Sequence, residues 1–356
     1  MAPSREYERA FLVPADLPGP SGGSIYNARV LDAWREVGAE VEEVAVGGTW
    51  PAPDHQAERE LARRLTQCRS ALVDGIIASA APDALAEAQA DGVEVSVLMH
   101  LPLPAETGLS LQQQRDAAAL ERSALHRADR ILCTSQWAAQ DIIARYGPLQ
   151  CEAVPPGADA RAPATGSDPP KILFLGSLSP RKNPLLLLRA LEPLADLEWQ
   201  LQITGPAGPD PSYAEALSTA ARRLPGRVSI TGPLQGRALE SAWESADLLT
   251  LPSLAETYGM VVTEAIAHGV PAVVGAGTGA VEALASGLGV PSAVTDQTLP
   301  GSAADPEDVR AWTTLLERWL QQEDLRARWR ANALRSRDRL RPWSETAKSL
   351  RTALGW

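Results

Sequence analysis

Two glutamates, Glu256 and Glu264, have seven residues between them, in a stretch predicted to run from a strand through a loop into a helix. If the span were fully helical, steps of ~1.5 Å would separate the two by ~12 Å. The paired carboxylates of a glycoside hydrolase need about 5–9.5 Å, so we expect these acids to contact different parts of one extended ligand. The free backbone N–H groups at the helix start would suit a diphosphate or a sugar hydroxyl; they belong to Gly259, Met260 and Val261.

Arg181 and Lys182 form a cation pair at a glycine-containing turn between a predicted strand and a predicted helix. Fixed cations at such a turn can stabilise negative charge that grows in a transition state. His100 directly follows the predicted strand Val93–Met99. Ligands of doubly wound sheets bind beyond the carboxyl ends of the strands, so His100 is a candidate site residue.

Gly22 and Gly23 open the first predicted helix, where glycines allow a ligand to approach the helix N-terminus closely. Polar side chains near this turn and in the irregular loop after His100 are candidate contacts to an acceptor molecule: Asp16, Ser24, Asn27, Glu106 and Thr107. The alternative for Glu106 and Thr107 is that both face solvent, and Asp16 could also be a helix cap.

Apolar runs that alternate with helical patterns must position these residues. The predicted strands are Ala10–Pro14, Gly75–Ser79, Val93–Met99, Arg130–Thr134, Lys171–Leu175, Trp199–Thr204, Val228–Thr231, Leu248–Leu251 and Pro271–Val274. This alternation predicts α/β architecture with a doubly wound parallel sheet in each half. The Pro- and Gly-rich segment Pro155–Pro170 is interpreted as a linker. We predict Rossmann-like domains over residues 1–160 and 171–340, followed by a last helix over 341–356.

The length of 356 residues, with 45% hydrophobic and 22% charged residues, fits a globular protein of about two domains. This composition excludes a disordered chain and an integral membrane protein. The N-terminus lacks the pattern of a signal peptide. Three separated cysteines without a CxxC pair disfavour disulfides and a structural zinc site, so we expect a cytoplasmic protein.

Charge is unevenly distributed along the sequence. Residues 1–160 contain 13 arginines, no lysine and 23 acidic residues, and they carry most of the formal net charge of −11. Such a domain should repel nucleic acid and anionic lipid, so we expect no nucleic-acid partner and no membrane association. None of the 19 aspartates forms a D-x-D motif, which argues against a metal-binding site of that type.

The sequence resembles the retaining GT-B glycosyltransferases of family 4, the E-x7-E enzymes of glycosyl transferases group 1. Several segments carry the resemblance: ETYGMVVTEA, LFLGSLSPRKN, ITGP, SADLLTLPS and GTGAVE in the second half, and ADRILCTS and VPPGAD in the first. The resemblance implies two Rossmann-like domains that face each other across a cleft, and a last helix, over residues 341–356, that crosses back to the first domain. It also implies a nucleoside diphosphate sugar as co-substrate and no cofactor.

The resemblance assigns roles to individual residues. Glu264 would bind the ribose hydroxyls of the donor, and Glu256 would face the transferred sugar. Lys182, with Arg181, would neutralise the diphosphate leaving group, and His100 would lie close to the donor sugar. The remaining donor-binding candidates are Gly22, Gly23, Ser177, Gly205, Tyr258, Gly259, Met260 and Val261. Many family members carry an arginine where this sequence has Ser177, and Arg181 could supply that charge.

The resemblance therefore implies a hexosyltransferase-type enzyme that retains the anomeric configuration by front-face, metal-independent transfer. UDP is the favoured donor nucleotide and a small soluble molecule the favoured acceptor, while GDP and ADP stay open. Three alternatives remain: a lipid-acceptor enzyme at the membrane surface, a GT-B epimerase or phosphorylase, and a non-catalytic nucleotide-sugar-binding protein.

Overall fold

Short apolar runs form two parallel sheets of six strands each in a computed structural model of the protein. The structure describes residues 5–17, 19, 21–106, 108–289, 295 and 297–356. The chain divides into two compact units. The described residues up to Gly157, together with Pro342–Trp356, make the first unit, and Ala158–Arg341 make the second.

The first sheet has the strand order β2-β1-β3-β4-β5-β6. Its strands are β1 (Tyr7–Pro14), β2 (Glu42–Val46), β3 (Cys68–Asp74), β4 (Glu94–Met99), β5 (Arg130–Cys133) and β6 (Cys151–Ala153). Helices cover both faces of such a sheet, so its inner strands are continuous apolar runs. In β1, Ala10, Phe11 and Leu12 are fully buried.

The second sheet has the order β12-β11-β10-β7-β8-β9. Its strands are β7 (Lys171–Leu175), β8 (Gln200–Thr204), β9 (Val228–Gly232), β10 (Leu248–Leu251), β11 (Ala272–Gly275) and β12 (Gly301–Ala304). The expectation of two doubly wound α/β domains is confirmed by these two sheets, in which every strand pairing is parallel.

The helices of the first unit are α1 (Gly22–Glu36), α2 (His55–Thr66), α3 (Gly75–Ala78), α4 (Pro82–Ala90), α5 (Leu111–Arg127), α6 (Gln136–Tyr146) and α14 (Trp343–Leu354). Those of the second are α7 (Pro184–Leu191), α8 (Pro211–Ala221), α9 (Gly236–Glu244), α10 (Met260–Ala267), α11 (Ala280–Leu284), α12 (Val309–Gln321) and α13 (Glu323–Arg337). Short 3₁₀ helices lie at Leu103–Ala105 and Glu192–Leu194. Within the described residues, no helix is both long enough and apolar enough to cross a membrane.

The prediction of a strand over Gly75–Ser79 is wrong, because the strand lies just before it and α3 starts at Gly75. Asp74 ends β3, and its side chain accepts a hydrogen bond from the backbone N–H of Ile76, which caps the new helix. Gly75 itself passes close to β4, since an added Cβ would lie 2.9 Å from the carbonyl oxygen of Leu98. The apolar run Ile76–Ile77 is thus helical.

The segment predicted as a linker packs mostly on the second unit. Its residues from Ala158 onward belong to that unit, and Ala164 is buried. The backbone N–H of Ala164 donates to the carbonyl oxygen of His268 at 2.7 Å. Asp247 accepts hydrogen bonds from the backbone and hydroxyl of Ser167, both at 3.0 Å. Composition indicated irregular backbone here, but it does not reveal anchoring by these hydrogen bonds.

The last helix, α14, packs on α1 of the first unit. The indole N–H of Trp34 donates to the carbonyl oxygen of Ala347 at 2.9 Å, and the rings of Tyr26 and Trp343 meet edge to face at 5.6 Å. Gly157 makes room for this contact, because an added Cβ would lie 2.5 Å from the backbone nitrogen of Trp343. Residues at the end of the sequence therefore complete the core of the first unit.

Candidate active site

The candidate residues of the second unit lie where strands β7, β8 and β10 end. Gly176 follows β7, and its backbone N–H donates to the carbonyl oxygen of Thr204 at 2.9 Å. Gly205 follows β8 with φ of 152°, and an added Cβ would lie only 1.8 Å from the carbonyl oxygen of Gly176. Only glycine fits there, so the sequence ITGP brings the first two turns into direct backbone contact.

The turn after β7 presents two consecutive cations. Its backbone is tightened by Ser179, whose carbonyl oxygen accepts from the N–H of Asn183 at 3.0 Å. Ser177, a predicted donor contact, places its hydroxyl 3.3 Å from that of Ser179. Asn183 adopts φ of 56°, and this left-handed residue starts α7 immediately after Lys182. The turn thus fixes the direction in which Arg181 and Lys182 leave the backbone.

Arg181 and Lys182 both bind the loop that follows β10. The backbone N–H of Leu254 donates to the carbonyl oxygen of Arg181 at 2.8 Å, and Nη1 of Arg181 donates to the carbonyl oxygen of Ala255 at 3.2 Å. Nζ of Lys182 donates to Oε2 of Glu256. The structure therefore brings together Arg181, Lys182 and Glu256, which the sequence analysis had placed on separate parts of a ligand.

The glycine turn that follows β11 holds the backbone of Glu256 in place. Its carbonyl oxygen accepts from the N–H of Gly279 at 2.7 Å. An added Cβ on Gly279 would lie 2.0 Å from the carbonyl oxygen of Thr257, so a larger residue would push this loop away. The GTGAVE segment therefore supports the loop that carries the first glutamate of the E-x7-E segment.

The helix of the E-x7-E segment begins one residue later than its sequence suggests. Gly259 has φ of 86° and precedes the first helical residue, Met260, so Glu256 lies in the loop and only Glu264 lies in α10. The ~12 Å expected for a fully helical span therefore does not apply. Met260 and Val261 are the first two residues of α10, as expected of the helix start. Tyr258 is buried, and burial raises the pKa of its phenol above the ordinary value of 10.0.

In the first unit, His100 follows β4 and meets two buried polar side chains. Its Nε2 lies 2.8 Å from Oδ1 of Asn27, and Nδ2 of Asn27 donates to Oδ2 of Asp74 at 2.5 Å. Burial lowers the pKa of the His100 imidazole below its ordinary 6.5, while the Asp74 carboxylate opposes that shift. The sequence analysis missed Asp74, because it placed a strand over Gly75–Ser79 and did not predict the strand that Asp74 ends.

Gly23 lies against the ring of His100. An added Cβ at Gly23 would be 2.9 Å from Cδ2 and 3.0 Å from Cγ of the imidazole. Tyr26 packs on the same ring, with ring centroids 5.2 Å apart and planes at 64°. The glycine therefore makes space for a side chain of the protein itself, whereas the sequence analysis assigned it to ligand approach. Gly22 is the first residue of α1.

The remaining acceptor candidates are not gathered around His100 in the same way. Ser24 closes a capping box with Ser21, in which each side chain accepts from the other's backbone N–H. Its hydroxyl is thus used by the helix start, so its predicted contact with an acceptor would have to compete with this cap. Asp16 and Glu106 are exposed in the segments that follow β1 and the first 3₁₀ helix. Thr107 lies outside the described residues.

The loop that follows His100 is anchored by a buried carboxylate that the sequence did not suggest. Oε2 of Glu121 accepts from the backbone N–H of Leu103 at 2.9 Å, and Oε1 accepts from the hydroxyl of Tyr146 at 2.6 Å. Burial raises the pKa of Glu121 above its ordinary 4.5, and these hydrogen bonds oppose that shift. Helical periodicity alone gives no sign that one glutamate of α5 faces inward.

Two six-stranded doubly wound units that carry their polar residues at the strand ends define a GT-B protein. The fold resembles that of sucrose-phosphate synthase from Thermosynechococcus elongatus, with a TM-score of 0.75, 16% identity and 98% of each chain covered. It equally resembles Anabaena HepE in complex with UDP and glucose, with a TM-score of 0.75, 15% identity, and 98% of this chain and 100% of that chain covered.

The chain belongs to the glycosyl transferases group 1 family, whose sequence model matches residues 158–336. It is 32% identical over 265 residues to the D-inositol 3-phosphate glycosyltransferase of Salinispora tropica, covering 66% of this chain and 52% of the relative. The chain spans about half the length of the curated relatives it matches.

Proposed function

We propose that the protein is a retaining glycosyltransferase that moves a hexose from a UDP-sugar to a small soluble acceptor. The proposal rests mainly on one observation: Arg181 and Lys182 both bind the loop that carries Glu256, at the carboxyl edge of the second sheet. This edge is where ligands of doubly wound sheets bind. Family membership and the UDP complex of the structural neighbour HepE support the donor class.

In the proposed reaction, the bond between the anomeric carbon and the diphosphate oxygen breaks while the acceptor oxygen bonds to the same face of that carbon. The leaving phosphate oxygen takes the proton of the acceptor hydroxyl, so the products are a glycoside and a protonated nucleoside diphosphate. Charge grows on the diphosphate as the bond breaks, and Lys182 stabilises it more strongly in the transition state than in the ground state. We propose that this cation, aided by Arg181, serves where other transferases use a metal.

An ammonium has three N–H donors, so Lys182 can donate to a diphosphate while it keeps Glu256, but the carboxylate offsets part of its positive charge. Glu256 would use its remaining lone pairs to accept hydrogen bonds from hydroxyls of the transferred sugar. We propose that backbone N–H groups in the first turn of α10 bind the diphosphate. Glu264, which lies two residues after Val262 in the same helix, would bind the hydroxyls of the ribose. Donor binding would thus add a diphosphate to an ion pair that the protein already contains.

A second candidate acceptor comes from the relatives, whose names specify D-inositol 3-phosphate. The segments that follow the strands of the first sheet argue against a phosphorylated acceptor. These segments (residues 15–21, 47–54, 74–81, 100–110, 134–135 and 154–157) contain carboxylates but no lysine or arginine. Phosphate is ordinarily bound by such cations, so we favour an uncharged polyol.

Calorimetric titration with UDP, GDP and ADP, each with and without EDTA, tests the donor assignment. We expect UDP to bind most tightly and EDTA to leave its affinity unchanged. Binding that requires a divalent metal, or no binding of any nucleotide, would contradict the proposed roles of Arg181, Lys182 and Glu264. Release of UDP that depends on added myo-inositol or D-inositol 3-phosphate then compares the two acceptor classes. Release without any acceptor would instead favour the epimerase alternative.

A further inference from the structure

His100, Asn27 and Asp74 form a hydrogen-bonded chain of side chains at the carboxyl edge of the first sheet. Asn27 and Asp74 are 3% and 4% exposed, and the His100 side chain is 14% exposed. Oδ1 of Asp74 accepts from the backbone N–H of Ile76 at 2.9 Å, which fixes the carboxylate at the start of α3. Buried polar groups are costly unless paired, so this arrangement strongly favours one orientation of each group.

The negative charge of Asp74 determines which groups donate and which accept in this series of hydrogen bonds. A carboxylate only accepts hydrogen bonds, so Asn27 must turn its NH₂ group toward Asp74 and its carbonyl oxygen toward His100. That carbonyl oxygen also only accepts, so Nε2 of His100 must carry the proton. A neutral imidazole has a single N–H, and Nδ1 therefore carries the lone pair. An inverted amide would bring two acceptor oxygens together at Asp74.

The ring of His100 is also restrained by packing. Gly23 lies against Cδ2 and Cγ, and the Tyr26 ring meets the imidazole at an angle of 64°. The hydrogen bond to Asn27 fixes rotation about the outer bond of the side chain. The position of the imidazole and the location of its proton are thus both determined before any substrate binds, which is the condition for effective preorganisation.

We propose that Asp74 and Asn27 are positioning residues for His100. They hold the proton on Nε2 and fix the orientation in which the imidazole meets the substrates. This inference rests on the proposed glycosyltransferase function.

The tautomer of His100 can be measured directly by long-range ¹H–¹⁵N NMR correlation at pH 8, with His100→Gln used to assign its signals. We expect the Nε2–H tautomer in the wild type. In Asp74→Asn the amide of residue 27 loses its fixed direction, so we expect a mixture of tautomers. A wild-type ring protonated on Nδ1 would overturn the proposal, and this outcome is independent of whether any sugar transfer is detected.

Kinetics supply the second readout. Asp74→Asn and Asn27→Ala should lower kcat by about 10- to 100-fold, the usual effect of removing a group that orients another. The UDP dissociation constant, which reports on the second unit, should stay within about twofold of the wild type. A KM that rises for the donor shows that His100 acts on the transferred sugar, and one that rises for the acceptor shows that it acts on that molecule.

Asn332→Ala is the matched control, because Asn332 is 2% exposed and donates to the carbonyl oxygens of Gln297 and Leu299 in the second unit. It should lower stability as Asn27→Ala does and leave the His100 tautomer unchanged. Equal kcat in Asp74→Asn and wild type, with an active wild type, would overturn the positioning role. If the wild type shows no transfer at all, the proposed function fails while the NMR result still decides the arrangement of His100.

Discussion

Nζ of Lys182 donates a hydrogen bond to Oε2 of Glu256, across 74 residues of sequence. The two side chains are only 16% and 11% exposed. At this degree of burial, the cost of removing both charges from water offsets much of their attraction, so the pair need not stabilise the fold. Its consequence is chemical under the proposed function, because this carboxylate would offset the charge that Lys182 offers to a diphosphate.

Replacement of Lys182 by Ala should lower the rate of sugar transfer more than it weakens donor binding. The lost cation acts on charge that develops on the leaving diphosphate, and such groups contribute about 10²–10³ in kcat. Single-turnover kinetics at saturating donor would measure this effect. Lys348→Ala is a suitable control, since Lys348 is exposed on α14 in the other unit. An unchanged transfer rate in Lys182→Ala would rule out its assigned role.

Replacement of Glu256 by Gln should have opposite effects on binding and on transfer. With the carboxylate removed, its negative charge no longer offsets that of Lys182 or repels the diphosphate, so UDP should bind more tightly, by about threefold to tenfold. Transfer should slow, because the contact to the sugar is weakened. Calorimetry with UDP and steady-state assays would measure the two effects separately. Weaker UDP binding in this variant would show that Glu256 helps to hold Lys182 in its binding position.

The fold could largely be predicted from the sequence, because buried parallel strands are apolar runs with clear ends. Lys171–Leu175 and Leu248–Leu251 have the predicted bounds. Helix α3 was missed for a local reason: Asp74 caps a helix within an apolar run, and the run alone does not distinguish a strand from a buried helix.

Gly23→Ala should slow transfer without weakening UDP binding. An added Cβ at 2.9 Å from the His100 ring would force the imidazole to shift, since this distance is shorter than normal contact. A displacement of about 1 Å can cost on the order of 10²-fold in rate. Gly47→Ala is the control, because its nearest neighbour outside adjacent residues is a carboxylate oxygen of Asp16 at 4.0 Å. Equal kcat for both variants would show that the His100 position is not critical.

Stability should fall as the pH is lowered through 6.5. Burial lowers the pKa of His100 in the folded protein, so the unfolded chain binds more protons below its ordinary pKa of 6.5. Each unit of difference is worth about 1.4 kcal/mol in the free energy of unfolding. His268, whose pKa is lowered by burial as well, contributes in the same direction. Urea unfolding at pH 5 and pH 7.5 should therefore show a smaller pH effect in His100→Gln than in wild type.

Glu121→Gln should destabilise the first unit and displace the loop that begins after His100. Glutamine offers one acceptor oxygen where the carboxylate accepts from both Leu103 and Tyr146, so one buried donor loses its partner. An unsatisfied buried donor costs about 1–3 kcal/mol. Chemical denaturation would measure this loss. Unchanged stability would indicate that the loop is held by its apolar contacts, through Leu103, and not by the carboxylate.

The candidate site was less predictable than the fold. Residue types and order indicated His100, Lys182 and Glu256 as functional candidates, because charged residues at strand ends are informative. Their partners could not be inferred, since Asn27, Asp74 and His100 come from three different elements of the first unit. Gly23 was assigned to ligand approach because a glycine in a sequence does not show which side chain will occupy the space it leaves.

Helix α14 determines which of the two units can finish folding first during synthesis. Residues 342–356 leave the ribosome only after the whole of Ala158–Arg341, yet they cover Trp34 and Tyr26 of the unit that was made first. The second unit is contiguous and can close while the first still exposes that apolar surface. The half that emerges first is thus the last to be completed, and a nascent chain stalled near residue 341 would be a natural client for chaperones that bind exposed aromatic side chains.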